Sequence, residues 1–278
     1  MKRNRIAWTA LLGILTLLPA AAALAGALPK PVSKNAEAQK LVDQAWALEK
    51  QDSTAAIYKQ CVGLAEQAVK LDPQNDMLLV DLSRYWWNYG DNLPKATKEQ
   101  QAQLEEIYAK GIAEAEKSLA IKETVPGHYW LAVNKASSLE FSSIFSQAAG
   151  FPTIYSHSDY VTTNEPDYYY GAPGRLWSEI LTRVPKVVVK MVGWDVNEAV
   201  GLINDAIKLE PRYLDNYVYK ARFYWVYFVD KDEALKNLEL ALSADPSALP
   251  EAATANRVAQ RDAKELWKKI TGKDYPSK

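Results

Sequence analysis

The groups able to do acid–base or ligand chemistry are few. His128 follows Pro126-Gly127 at a helix start, and His157 stands between Ser156, Ser158 and Asp159. Imidazole titrates nearest neutrality, so a His–Asp pair could move a proton if a pocket held a substrate within hydrogen-bond reach. That reading makes His157 and Asp159 the centre of a cryptic enzyme; the alternative is a hydrogen-bonded loop. The chain has no His-x-x-x-His, no paired cysteines and no G-x-S-x-G. Neither a metal site nor a serine nucleophile therefore has a local signature. The carboxylates sit mostly at helical surface positions, where solvation is their ordinary state. Cys61 is the single cysteine, so it has no internal disulfide partner. It falls where two helices must approach closely, which suits a buried, inert thiol. The expectation is no catalytic residue, no metal and no cofactor.

Binding chemistry is better represented. The chain carries 9 Trp and 16 Tyr against 5 Phe. Tyr and Trp pair a large apolar face with a polar tip and are favoured where one end stays wet, as in clefts and interfaces. They cluster as Tyr85-Trp86-Trp87, Tyr129-Trp130, Tyr168-Tyr169-Tyr170 and Tyr224-Trp225. Three consecutive tyrosines before Gly171 cannot all point inward, so at least one should face a groove or a partner. The candidate ligand- or partner-binding residues are Tyr168, Tyr169, Tyr170, Arg175, Trp177, Tyr129, Trp130, Trp86 and His157. Arg175 has two roles open to it, a clamp on a ligand carboxylate or a structural ion pair holding its own loop.

The elements that must position these side chains are helical hairpins. DVNEAVGLINDAIKLEPRY, Asp195 to Tyr213, opens with the Asp195/Glu198 spacing of a capping box. Ala199, Ile203 and Ala206 then share one face, and Pro211 closes the segment. Small, large, small, then Pro is the second-helix pattern of a tetratricopeptide (TPR) repeat, because small residues admit the neighbouring helix and Pro ends the run. Ala234, Leu238, Ala241 and Pro246 repeat it at a spacing of 35 residues, against a TPR period of about 34. Cys61, Ala65, Ala68 and Pro73 are an earlier copy; Gly111, Ala115, Ser118 and Ile121 are a looser one, displaced by a long helix over 98–121. Helix HYWLAVNKASSLEFSSIF follows from His128. Residues 150–166, with Gly150, Pro152 and Pro166, carry no helical period and read as a long loop packed on the body. Leu176, Trp177, Ile180, Leu181 and Val184 form an apolar stripe. The insertion PKVVVKMVGW then places Val187, Val188, Val189 and Met191 either folded back on the array or in a subunit contact, since a contiguous apolar patch is costly in water. Residues 250–270 read as a capping helix with Ala259, Ala263, Leu266, Trp267 and Ile270 facing in.

Lys2, Arg3 and Arg5, the apolar run Ile6–Leu18 and Ala23-Leu24-Ala25 have the order of a cleavable signal peptide. Cutting after Ala25 removes three of 33 basic residues and leaves a net charge of −4 against 34 acidic ones. The following residue is Gly26, not Cys, which excludes a lipid anchor on an N-terminal cysteine. The expected compartment is the periplasm. Net charge −1 for the whole chain and the lack of a basic stripe argue against a nucleic-acid partner.

Asp167-Tyr168-Tyr169-Tyr170-Gly171-Ala172-Pro173-Gly174-Arg175, the apolar helix after it, and the segment ending in Pro211, Tyr213 and Asn216 resemble the T component associated with TRAP transporters. Pro173 and Arg175 match that family's Gly-Gly-Pro-x-Arg stretch; Ala172 departs from its second Gly, and the Val-rich insertion differs from its Gly-rich loop. The resemblance is carried by Asp167 to Asp245. It implies an all-helical periplasmic TPR protein that binds the transporter's substrate-binding protein. It further implies a trimer, with an apolar cleft in each subunit for a small apolar or carboxylate ligand, bordered here by the Tyr168–Arg175 stretch.

The sequence thus predicts an all-α, TPR-like helical-hairpin solenoid of roughly four hairpins with a C-terminal capping helix: 1–25 signal peptide, 26–35 flexible leader, 36–272 helical domain. The leading expectation is a non-enzymatic adaptor of a TRAP-type uptake system. The alternative is an envelope scaffold holding a peptide or protein in its concave groove.

Overall fold

The computed structural model describes residues 27–276 except 185 and 192–194. The proposed signal peptide, 1–25, lies outside the described residues. Among those described there is no strand and no helix long and apolar enough to cross a membrane.

The helices are α1 (Ala36–Glu49), α2 (Ala55–Leu71), α3 (Asp76–Asp91), α4 (Lys98–Ile121), α5 (Val125–Ser138), α6 (Ile144–Asn164), α7 (Tyr168–Arg183), α8 (Lys186–Met191), α9 (Val196–Leu209), α10 (Asp215–Phe223), α11 (Lys231–Ser243) and α12 (Ala253–Thr271). A π-helical turn, Tyr224–Phe228, extends α10. Their starts follow local chemistry. Asn35, Thr54, Asn75, Thr124, Ser143 and Asp230 each cap a first turn with a side-chain oxygen, and Thr97 with Gln100 forms a full capping box. At Asp195 the carboxylate accepts from Asn197 N, two residues on.

Neighbouring helices pair α1 with α2, α3 with α4, α5 with α6, α7 with α9 and α10 with α11, and α12 packs on α10 and α11. This is an all-α hairpin arrangement with a terminal cap, one hairpin longer than the sequence pattern predicts. The additional pair arises because 144–164 is helix α6, not a loop. Ser143 caps it, and Ile154, Ser158 and Val161 form a buried face. That burial outweighs Pro152, which removes one backbone donor inside the helix. The preceding helix, α5, accordingly stops at Ser138. The described part of the valine-rich insertion, Lys186–Met191, is also helical: Val189 is 1% exposed, packed with Leu181, Ala199 and Phe223.

The small-residue positions behave as their spacing requires. Cys61, Ala68, Ala115, Ala199, Ala206, Ala234 and Ala241 are all buried at helix contacts. Burial pushes the Cys61 thiol up to about 12, and its Sγ–H donates to Ala45 O at 3.4 Å, so it is a packing group. The cap helix buries Ala259, Ala263, Leu266 and Ile270. Asn256, at its start, accepts from Leu214 N at 2.9 Å and donates to Arg212 O and Pro246 O. Thr254 Oγ donates to Lys50 O at 2.9 Å, bringing the last helix against the first hairpin.

Candidate functional site

Two clusters of polar and aromatic side chains face one another in the interior. The first is built by α7 and its left-handed entry. Tyr169 (φ 46°), Tyr170 (φ 56°) and Gly171 (φ 80°) lie in the αL region, where a non-glycine residue is strained. Helix α9 approaches the two glycines of this turn closely. A Cβ on Gly171 would lie 2.3 Å from Ala206 Cβ, and one on Gly174 2.7 Å from the Leu202 carbonyl carbon. Arg175, 3% exposed, stabilises the turn by donating to Tyr170 O at 3.2 Å, Tyr169 O at 2.6 Å and Asn216 Oδ1 at 2.6 Å. Asn216 Nδ2 also donates to Tyr170 O, and Asp215 lies 3.6 Å from Arg175 Nε. Burial raises the Asp215 carboxyl to about 6 despite that guanidinium. Of the two roles open to Arg175, the geometry carries the structural one: its donors are engaged within the chain.

Tyr168 and Tyr170 are buried, and Tyr169 is half-buried. Tyr170 stacks on Tyr213 at 4.6 Å; Tyr168 meets Tyr129 edge-on at 5.3 Å, and Tyr129 meets Trp130 edge-on at 5.0 Å. Burial pushes the Tyr168 phenol well above its ordinary range. Tyr168 OH and Trp130 Nε1 are inaccessible and pair only with each other, the indole partly offsetting the rise of the phenol.

The second cluster comes from α1 and α3 and was missed in the sequence. Arg84, 3% exposed, pairs with Asp81 at 2.8 Å and with Glu49, and Trp46 Nε1 donates to Asp81 at 2.8 Å. Burial is the chief cause that raises the Asp81 carboxyl. Its signal was present: an Asp and an Arg three apart inside LLVDLSRYWW, a run otherwise apolar enough to be buried. Between the clusters lies a cavity of about 10 Å³, close to the room one water needs. Its lining includes Met77, Arg84, Trp130 and Tyr168, and also Leu28 from the leader.

The other candidates lie apart. Trp86 sits beside Tyr89 with Lys110 over its ring at 4.6 Å. Trp177 donates to Thr162 Oγ at 2.9 Å and packs on Tyr155. His157 pairs with His128, Nδ1 to Nδ1 at 2.7 Å, while Asp159 is exposed. His128 stacks on Tyr160 at 3.8 Å, and its Nε2 lies 3.4 Å from Glu123. Burial lowers both imidazole pKa values. No group of three or more metal-ligating side chains occurs among the described residues. A larger hollow, lined by Gln44, Leu48, Gln60 and Leu64, is an open groove on the outside of α1 and α2, away from both clusters.

The family model described as the TRAP transporter T-component matches residues 90–272. This chain belongs to that family. The match takes in the Tyr168–Arg175 turn, its Asn216 partner and the aromatic wall of α5; the Glu49–Arg84–Asp81 cluster lies before it. No curated protein matches the chain. T-component membership suggests an accessory role to a TRAP transporter.

Of the four residues expected at a subunit contact, Val189 is a core residue and so is unavailable to a partner. Val187 is 63% exposed. The side chains of Val188 and Met191 lie outside the described part of the structure.

Proposed function

We propose that this chain is a periplasmic, non-enzymatic adaptor of a TRAP-type uptake system. It binds the solute-binding protein and holds a small ligand between the Arg84 and Arg175 clusters. The observation that carries this reading is the T-component match over 90–272, which includes the aromatic turn that walls the interior. The wall suits an aliphatic ligand with one neutral hydrogen-bond acceptor. The Trp130 indole turns to the Tyr168 phenol, whose O–H is the spare donor, and the nearby Glu49–Arg84–Asp81 group contains two carboxylates against one guanidinium, which disfavours an added anion.

The outer contact in this reading is the patch formed by Val187 of α8 with Val226, Phe228 and Val229 of the π-helical turn. All four are exposed, and Lys186 over the Tyr227 ring at 5.2 Å joins the two elements. Val229 also takes φ 58°, strained for a β-branched residue, and π-turns and strain both concentrate at functional positions.

The test is light scattering with native mass spectrometry on the chain beginning at Gly26. A trimer with a co-purified small molecule, losing its assembly in Phe228→Ser/Val229→Ser, supports the adaptor. A ligand-free monomer turns the assignment to an envelope scaffold that holds a peptide. One observation favours that second reading: the non-helical segment 27–35 already packs Ala27 and Leu28 against the core.

A further inference from the structure

The segment before α1 is docked rather than free. From Ala27 to Asn35 it runs without helix, and burial alternates at its end: Pro31 and Ser33 are buried, Lys30, Val32 and Lys34 exposed. Alternation is the signature of an extended chain lying on a surface. Ser33 N donates to Gln39 Oε1 at 2.7 Å, Ser33 Oγ to Asp72 at 2.6 Å, and Asn75 Nδ2 to Val32 O at 2.9 Å. These bonds fix its rear end to the first hairpin and α3.

Its front end lies between the two clusters. Leu28 packs against the core group containing Trp130, Tyr168 and Val80, and with Pro29 it lines the cavity beside Arg84 and Asp81. Ala27 reaches the opposite half, against the group of Tyr170, Tyr213, Leu249 and Ala252. Lys30 pairs with Asp43 at 2.7 Å and stands 6.0 Å over the Trp46 ring. An aliphatic side chain in an aromatic pocket and, two residues on, a cation held by a carboxylate and an indole together form a recognition pattern.

We propose that the interior is a groove for an extended peptide with an aliphatic residue two before a lysine, and that residues 27–33 are its built-in occupant. The proposal deepens the ligand site given above and rests on that reading for the competition it implies: a small ligand enters the Trp130–Tyr168 pocket only when Leu28 leaves. The position of Leu28 explains why so little cavity remains there. The Tyr168 hydroxyl, which receives the Trp130 indole, then holds its own O–H for an incoming carbonyl, which an aliphatic side chain does not satisfy.

The test compares the chain beginning at Gly26 with its Leu28→Gly/Lys30→Ala variant, which keeps Ser33 and Asn35 and so the anchoring and cap of α1. The probes are a fluorescein-labelled heptapeptide of residues 27–33, followed by anisotropy, and 8-anilinonaphthalene-1-sulfonate, followed by emission. Helical circular dichroism confirms folding, and Val32→Ala, at a 78% exposed position, serves as the unchanged control. The variant should bind the heptapeptide at least tenfold more tightly than the parent chain. A heptapeptide carrying the same two substitutions should lose at least tenfold. Equal affinity of parent and variant, or no binding to a folded variant, overturns the peptide groove. Dye entering the variant while the peptide does not also overturns it, and leaves the small-ligand site standing. Peptide binding without dye uptake supports the groove and removes the small-ligand site.

Discussion

Arg175 illustrates how a residue that looks ready for a ligand can be spent on its own backbone. Its guanidinium bonds the two carbonyls that the left-handed tyrosines turn inward, and it faces Asp215. Arg175→Ala would strand those two carbonyls and leave the half-buried Asp215 carboxyl without its guanidinium, a loss of about 2–3 kcal/mol. Arg175→Lys should recover little, because an ammonium cannot reproduce the fork. Urea denaturation of the three proteins measures this; a stable alanine variant with weakened ligand binding would return Arg175 to the ligand. The His128–His157 pair makes a separate prediction. Burial lowers both pKa values, so the unfolded chain binds more protons below about pH 6.5. The pair's contribution is therefore complete above that pH and lost as pH falls through the lowered values, with Glu123 opposing the loss at His128 and Lys135 adding to it at His157. His157→Phe should flatten the fall in denaturation midpoint between pH 7.5 and 5. An unchanged pH profile would show that the pair does not couple to folding.

Hairpin elements were legible where burial follows a fixed spacing. Ala199, Ile203 and Ala206, or Ala234, Leu238 and Ala241, sit where a second helix meets its neighbours, and all six are buried. Helix α6 was not legible, because Gly150 and Pro152 punctuate its sequence while the compensating burial of Ile154 and Val161 depends on α5 and α7 arriving beside it. The αL entry to α7 was half legible: Gly171 could be read, but positive φ at Tyr169 and Tyr170 follows from tertiary contact. The α7–α9 approach can be tested on its own. Gly171→Ala places Cβ against the Ala206 side chain, whereas Gly174→Ala places it against the Leu202–Ile203 backbone. Each should cost about 1–3 kcal/mol by overpacking, with left-handed backbone strain added at Gly171, whose φ is 80°. Adding Ala206→Gly should relieve part of the first and none of the second. A double-mutant cycle with equal rescue at both positions would contradict the contacts that define this interface.

At the scale of the whole molecule, the segment from Ala27, the first hairpin and the capping helix are one mechanical unit. Helix α12 holds the α9–α10 connection through Asn256, touches the first hairpin through Thr254 and Lys50, and follows the turn whose Leu249 and Ala252 receive Ala27. The candidate groove straddles this closure, which is why neither half of the sequence displays it alone: its clusters come from helices α1 and α3 on one side and α7 and α10 on the other. Asn256→Ala leaves Leu214 N, Arg212 O and Pro246 O without their partner. Unpaired buried groups cost roughly 1–3 kcal/mol each, reduced wherever water reaches them, so a loss of about 2–4 kcal/mol is expected. That loss should not stay local. Loosening α12 withdraws the seat of Ala27 and the Thr254 link together, so amide exchange should accelerate at Ala27, Leu28 and Lys30 as well as along α12. Acceleration confined to α12 would mean that the N-terminal segment is held by the first hairpin alone. Joint acceleration would place opening of the groove under the control of the capping helix, so that a partner gripping α12 could govern access to the interior without touching it.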